Sequence, residues 1–109
     1  MDDKAAAAYL HLQTHVHKAV IKVLQAYQMA PAPADSDPSA VFLWASVHSN
    51  GSAHWAHFHE RSGLSGVYYV QLPCGSGSLA FYDPRGSRPP FSRSYEHQPE
   101  EGEIVVFPS

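Results

Sequence analysis

Residues 3–29 contain neither Gly nor Pro, are rich in Ala, and repeat their apolar positions at steps of three and four. Leu12, Val16, Ala19, Val20, Val23, Leu24 and Tyr27 fall on one side of a 3.6-residue period, which predicts an amphipathic helix whose stripe docks on another element. Asp2 and Asp3 stand where carboxylates favour a helix N-terminus. Pro31, Pro33 and Pro38, separated by Ala, Ser and Asp, then end the pattern. Such a stretch cannot continue a helix and buries little, so 31–40 reads as a linker after a helical unit of 1–30.

From residue 41 the period changes to two. Residues 41–48 are β-branched and aromatic and predict a strand; 49–52 predict a turn, and 53–59 a second strand. Residues 61–63 form the next turn before 64–72, the strongest strand pattern in the chain. A turn over 73–77 leads to a short strand at 78–82, then to a long loop rich in Arg and Pro over 84–99. Gly102 introduces a last short strand at 103–107. Five short strands after one helix predict a mostly β fold with an N-terminal α-helix, an antiparallel sandwich or barrel over 41–109. Ser109 directly follows an apolar strand with nothing after it to close a barrel. The reading is therefore an incomplete barrel with an exposed edge, prone to self-association.

Composition narrows the function classes. The 109 residues are 44% hydrophobic and 16% charged, with a net charge of −3, which suits a folded domain and not a disordered one. Nucleic-acid binding through phosphates needs clustered Lys and Arg, so no nucleic-acid partner is expected. No apolar run approaches the roughly 18–20 residues that cross a bilayer, and the acidic start, Met1-Asp2-Asp3-Lys4, is unlike a secretory signal. One cysteine, Cys74, excludes an intrachain disulfide and an all-cysteine zinc site. An intracellular, cytoplasmic protein without a membrane partner is the expectation. Eight residues are histidine, more than Lys and Arg together, and histidine is the commonest metal ligand.

Spacing selects among them. In His57-Phe58-His59, strand geometry would put both imidazoles on one face and Phe58 on the other, in packing. Two imidazoles so placed can take adjacent positions on a divalent metal if a third ligand arrives from elsewhere. The bland alternative is two polar residues on a wet strand face. His11 and His15, at i and i+4 on the helix, could clamp a metal, although membership of the polar face with His17 is the simpler account. His54 lies off the register of His57 and His59, and His97 lies in a polar loop as a stray ligand at most. Cys74, in a turn, has no nucleophile–base arrangement around it.

The order of motifs adds to this. Trp44-Ala45-Ser46-Val47, His57-Phe58-His59, Leu64-Ser65-Gly66-Val67-Tyr68-Tyr69-Val70, Phe81-Tyr82-Asp83-Pro84-Arg85 and Phe107-Pro108-Ser109 follow one another. Over about residues 41–109 this succession closely resembles a family of 2-oxoglutarate/Fe(II)-dependent oxygenases, relatives of the prolyl hydroxylases. The resemblance implies a double-stranded β-helix, a jelly-roll of the cupin kind, with Fe(II) held at its open end and 2-oxoglutarate as cosubstrate. It implies an oxidoreductase, a dioxygenase that hydroxylates a substrate the sequence does not identify. His57 and His59 match the first two metal ligands. The superfamily usually has Asp at the second, so His59 departs from the two-His-one-carboxylate set: either the iron has three His ligands or Glu60 helps, although Glu60 would face away from His59 on a regular strand. The third His and the basic residue that holds the cosubstrate follow the Phe-Pro-Ser motif in the family, so neither lies within the matched stretch, and a truncated domain is the expectation. Tyr69 matches a strand position whose hydroxyl binds 2-oxoglutarate; the alternative is a core tyrosine with its hydroxyl at the rim.

Asp83 is expected to cap the turn at Pro84, and Arg85, Arg88 and Arg93 to lie on a solvated loop or to meet an anionic substrate. Two other functions compete with the oxygenase. Gly51 followed at six residues by His57-x-His59 fits the opening of a cupin metal motif, but Gly63 and Leu64 stand where that motif needs Glu. A non-catalytic remnant or interaction module of the same fold is the third reading.

Overall fold

The computed structural model describes residues 1–29, 37 and 41–109. The linker expected over 31–40 lies outside the described residues, apart from Asp37. Helix α1, Asp3–Ala26, is capped by Asp2, whose Oδ1 accepts from the Ala5 N–H at 2.7 Å. A cap of this kind contributes about 1 kcal/mol to a helix start. The helix stops three residues before the sequence pattern does: Tyr27 closes it and Gln28 turns left-handed at φ 57°. Its expected stripe is the covered side. Leu24 is buried at 7% exposure, with Leu12, Val16, Ala19, Val20 and Val23 half-buried, whereas Tyr27 lies outside it and is exposed.

Among the described residues four strands follow: β1 Leu64–Tyr68, β2 Leu79–Tyr82, β3 Ser94–His97 and β4 Ile104–Pro108. They form two antiparallel pairs. β1 pairs with β4, Gly66 facing Val106, and β2 pairs with β3, Phe81 facing Tyr95. Helix α1 lies against β4, whose residues 104–107 are all half-buried. Gln13, at 9% exposure, reaches from the helix to the Val41 carbonyl at 3.3 Å. Across the two pairs, Phe81 meets Phe107 edge to face at 4.9 Å, and this contact is where the sheets join.

The strands expected at 41–48 and 53–59 are corrected: both segments are irregular. Val41 to Trp44 still alternate half-buried and exposed as the period predicts. Without a partner strand the backbone gains no ladder, and an extended segment alone is not held. The loop expected over 84–99 is corrected in turn, since it contains β3. The turns at 49–52, 61–63 and 73–77 are present, the first and third closed by Ser52 N–H to Ser49 carbonyl and Ser76 N–H to Pro73 carbonyl bonds. The radius of gyration is 15.8 Å, against about 13 Å for a compact chain of this length. Phe42 and Val47 on the irregular 41–48 segment, and Val70 just past β1, are exposed.

Candidate metal centre

Residues 53–59 approach β1 through a turn in which Ser62 N–H reaches the His59 carbonyl at 3.4 Å and Arg61 is left-handed at φ 65°. A non-glycine residue there carries a modest strain. His57 and His59 sit on this irregular run, yet their rings meet as strand geometry anticipated, with centroids 5.0 Å apart at 83°. Phe58 does not pack: it is 74% exposed, which corrects its assignment to the interior and follows from the missing strand. His54, expected out of register, is brought to 6.1 Å from the His57 ring by the same irregular path, and His48 meets His54 edge-on at 4.4 Å. Trp44 covers His59 at 5.8 Å.

His57 Nδ1 lies 2.7 Å from the Trp55 carbonyl oxygen. A carbonyl only accepts, so Nδ1 carries the proton and Nε2 of the neutral ring keeps its lone pair. That is the outer-shell arrangement that orients a metal-binding imidazole. Fe(II) accepts imidazole nitrogen readily, so His57 and His59 have the donor chemistry for two of its positions. Among the described residues, no group of three or more His, Cys, Asp and Glu is placed to hold one ion.

Tyr69 follows β1 directly. Its N–H donates to the Glu103 carbonyl at 3.0 Å and its carbonyl accepts from Gly102 N–H at 2.7 Å. Ser65, Val67 and Tyr69 are half-buried, whereas Tyr68 on the other face is exposed, as alternation predicts. Burial first, then the nearby Glu103 charge, pushes the Tyr69 hydroxyl above its ordinary value, so it stays protonated and can donate. Its described contacts lie toward β4, not toward His57.

His97, expected as a loop residue, stands in β3 with Nε2 at 2.9 and 3.0 Å from the two Glu103 carboxylate oxygens. The His97 hydrogen bond, then the Glu100 N–H, hold Glu103 below the usual glutamate value of 4.5. A depressed carboxylate gives its full stabilisation above the unfolded-state value and loses it as pH falls through the folded one. Glu103→Gln is therefore expected to leave the melting temperature less sensitive to acid below about pH 4.5 than that of the parent protein. Melting curves at descending pH check this; parallel curves for the two proteins would contradict it.

Asp83 caps its turn as expected, accepting from Arg85 N–H at 3.0 Å, and takes the Arg85 guanidinium on both oxygens at 2.9 and 2.8 Å. These bonds hold its carboxyl at about 2. Arg85 also lies 4.6 Å over the Phe91 ring, so it is structural in the 83–91 loop. Sequence reasoning singled out His57, His59 and Tyr69 as site candidates and Asp83 as a turn cap. It missed the His97–Glu103 pair, which joins β3 to the start of β4 and had no motif to mark it.

A search of curated proteins and one of solved structures each returned no match. No helix among the described residues is long and apolar enough to cross a membrane. The family model described as "Putative 2OG-Fe(II) oxygenase" matches residues 42–109. That stretch holds the paired imidazoles, both sheets and Tyr69, and with most of its length matched the chain belongs to this 2OG-Fe(II) oxygenase family.

Proposed function

We propose that the protein is an Fe(II)- and 2-oxoglutarate-dependent hydroxylase of jelly-roll kind whose iron is held in part by His57 and His59. The carrying observation is the convergence of the two rings, with His57 Nδ1 held by Trp55 so that Nε2 is available as a donor. When bound, the iron supplies oxygen activation coupled to the decarboxylation of 2-oxoglutarate. The chain's own residues bind and orient. His57 and His59 would present ring nitrogens to the iron, the Trp44 ring lies beside His59, and the Tyr69 hydroxyl would donate a hydrogen bond to the cosubstrate. The family resemblance also implies a further metal ligand and a basic residue for the distal cosubstrate carboxylate, and His57, His59 and Tyr69 would account for the rest of the site.

The test is iron-dependent conversion of 2-oxoglutarate to succinate and CO2 under air. Succinate that appears only with Fe(II), and is lost in His57→Ala, supports the proposal. No turnover across a broad panel of acceptors, with no iron uptake, overturns it. A second reading, a non-catalytic interaction module, rests on the exposed Trp55 and Phe42, at 89% and 86%, and would be favoured by that negative result.

A further inference from the structure

Helix α1 carries a second pair of histidines away from the 57–59 run. His11 and His15, both exposed, turn their rings toward each other with centroids 4.5 Å apart at 86°, and their Nε2 atoms are 3.1 Å apart. Two nitrogens bound to one transition-metal ion at about 2.0–2.1 Å each, at the angles of tetrahedral or octahedral coordination, are separated by about 2.9–3.4 Å. The observed separation falls in that interval, and both nitrogens are the atoms a metal would use. Without a metal, one Nε2–H donates to the other ring. A divalent ion would take the place of that hydrogen, which moves to Nδ1 of its own ring, so that each ring carries its hydrogen on Nδ1 and presents Nε2. The backbone is already fixed, because both residues lie inside a capped helix, Asp3–Ala26, and i,i+4 positions share a face. His15 also borders an open groove of about 530 Å³, lined by His17, Lys18, Ile21, Lys22 and Ile104. Both His11 and His15 are exposed, so water can reach the remaining coordination positions.

We propose that His11 and His15 form a surface clamp for a divalent transition-metal ion such as Zn(II), Ni(II) or Cu(II), with water completing the coordination. The site does not depend on the oxygenase reading, since it shares no residue with His57 and His59. It is tested in the full chain with both of those replaced by Ala, so that failure of one site leaves the other measurable. Cu(II) is titrated calorimetrically at neutral pH, and the bound ion is examined by electron paramagnetic resonance. One equivalent with two-nitrogen hyperfine structure is expected. His15→Gln and His11→Gln should each weaken binding by at least about tenfold, because chelation becomes single-point attachment. Circular dichroism at 222 nm checks that the helix persists, and if one variant loses it the other decides. Equal affinity in parent and helical variants, or the absence of a nitrogen-ligated equivalent, overturns the proposal.

Discussion

His57→Ala is expected to lower Fe(II) affinity by roughly 100-fold or more, since even outer-shell changes at metal sites cost 10–100-fold. The same loss is expected for His59→Ala, because in the proposed site each residue would supply one nitrogen from two rings that meet. His54→Ala is the informative control. Its ring is 6.1 Å from His57, close enough to look like a ligand, but it belongs to neither position of the H-x-H motif. It should bind iron as the parent does. Trp55→Ala should also bind, because His57 Nδ1 is held by the Trp55 backbone carbonyl and not by its indole. Anaerobic titration with Fe(II), or with Co(II) followed by its visible absorption, reads all four proteins. If His54→Ala loses the metal and His57→Ala keeps it, the ligand assignment is wrong.

The second large effect is on stability. Gly66 sits in the middle of β1, and a Cβ there would stand 2.9 Å from the Val105 carbonyl oxygen and 3.4 Å from Val106 Cγ2. The first of these is backbone in the facing strand, fixed by the ladder that pairs Gly66 with Val106 and Val67 with Val105. It cannot yield without opening the pair. Gly66→Ala is expected to cost about 1–3 kcal/mol, in the range of overpacking. For a domain of this size each kcal/mol is worth roughly 4–8 °C in melting temperature. Gly63→Ala, two residues into the preceding turn and a position with nothing within 4 Å, should melt close to the parent. Equal melting of the two variants, by calorimetry, would show that the β1–β4 register is not as described. Tyr69 should suffer with the ladder, since its backbone bonds to Gly102 and Glu103 extend it by one residue.

How far the sequence foretold this structure depends on how local each signal was. Helix α1 was legible because twenty-odd residues lack Gly and Pro and keep one stripe; only its last turn, set by a left-handed Gln28, ran short. β1, β2 and β4 were legible from dense apolar runs. β3 was not, since Ser94, Tyr95 and Glu96 are all exposed and offer no apolar face to the period. The segment 41–48 erred the other way: its residues favour extension, but pairing is a tertiary fact that no local period contains. At the candidate site, the H-x-H spacing singled out His57 and His59, whose rings meet even though the strand it assumed is absent. The approach of His54 depends on the path of an irregular loop, which spacing does not contain, whereas the i,i+4 spacing of His11 and His15 put them on one helix face and left only their rotamers open.

The strand order has a kinetic side. β2 and β3 are joined by residues 83–93, whereas β1 and β4 are separated by residues 69–103, which include the whole β2–β3 pair. The closure entropy of an unstructured loop rises slowly with length, about 0.6 kcal/mol per doubling, and non-local pairing is the slow part of β folding. If the inner hairpin forms first, it shortens the span the outer pair must close, and the Phe81–Phe107 and His97–Glu103 contacts give β4 a surface to arrive on. Assembly then runs from the inside outward, and the β1–β4 ladder, with Tyr69 at its end, is the last part to become rigid.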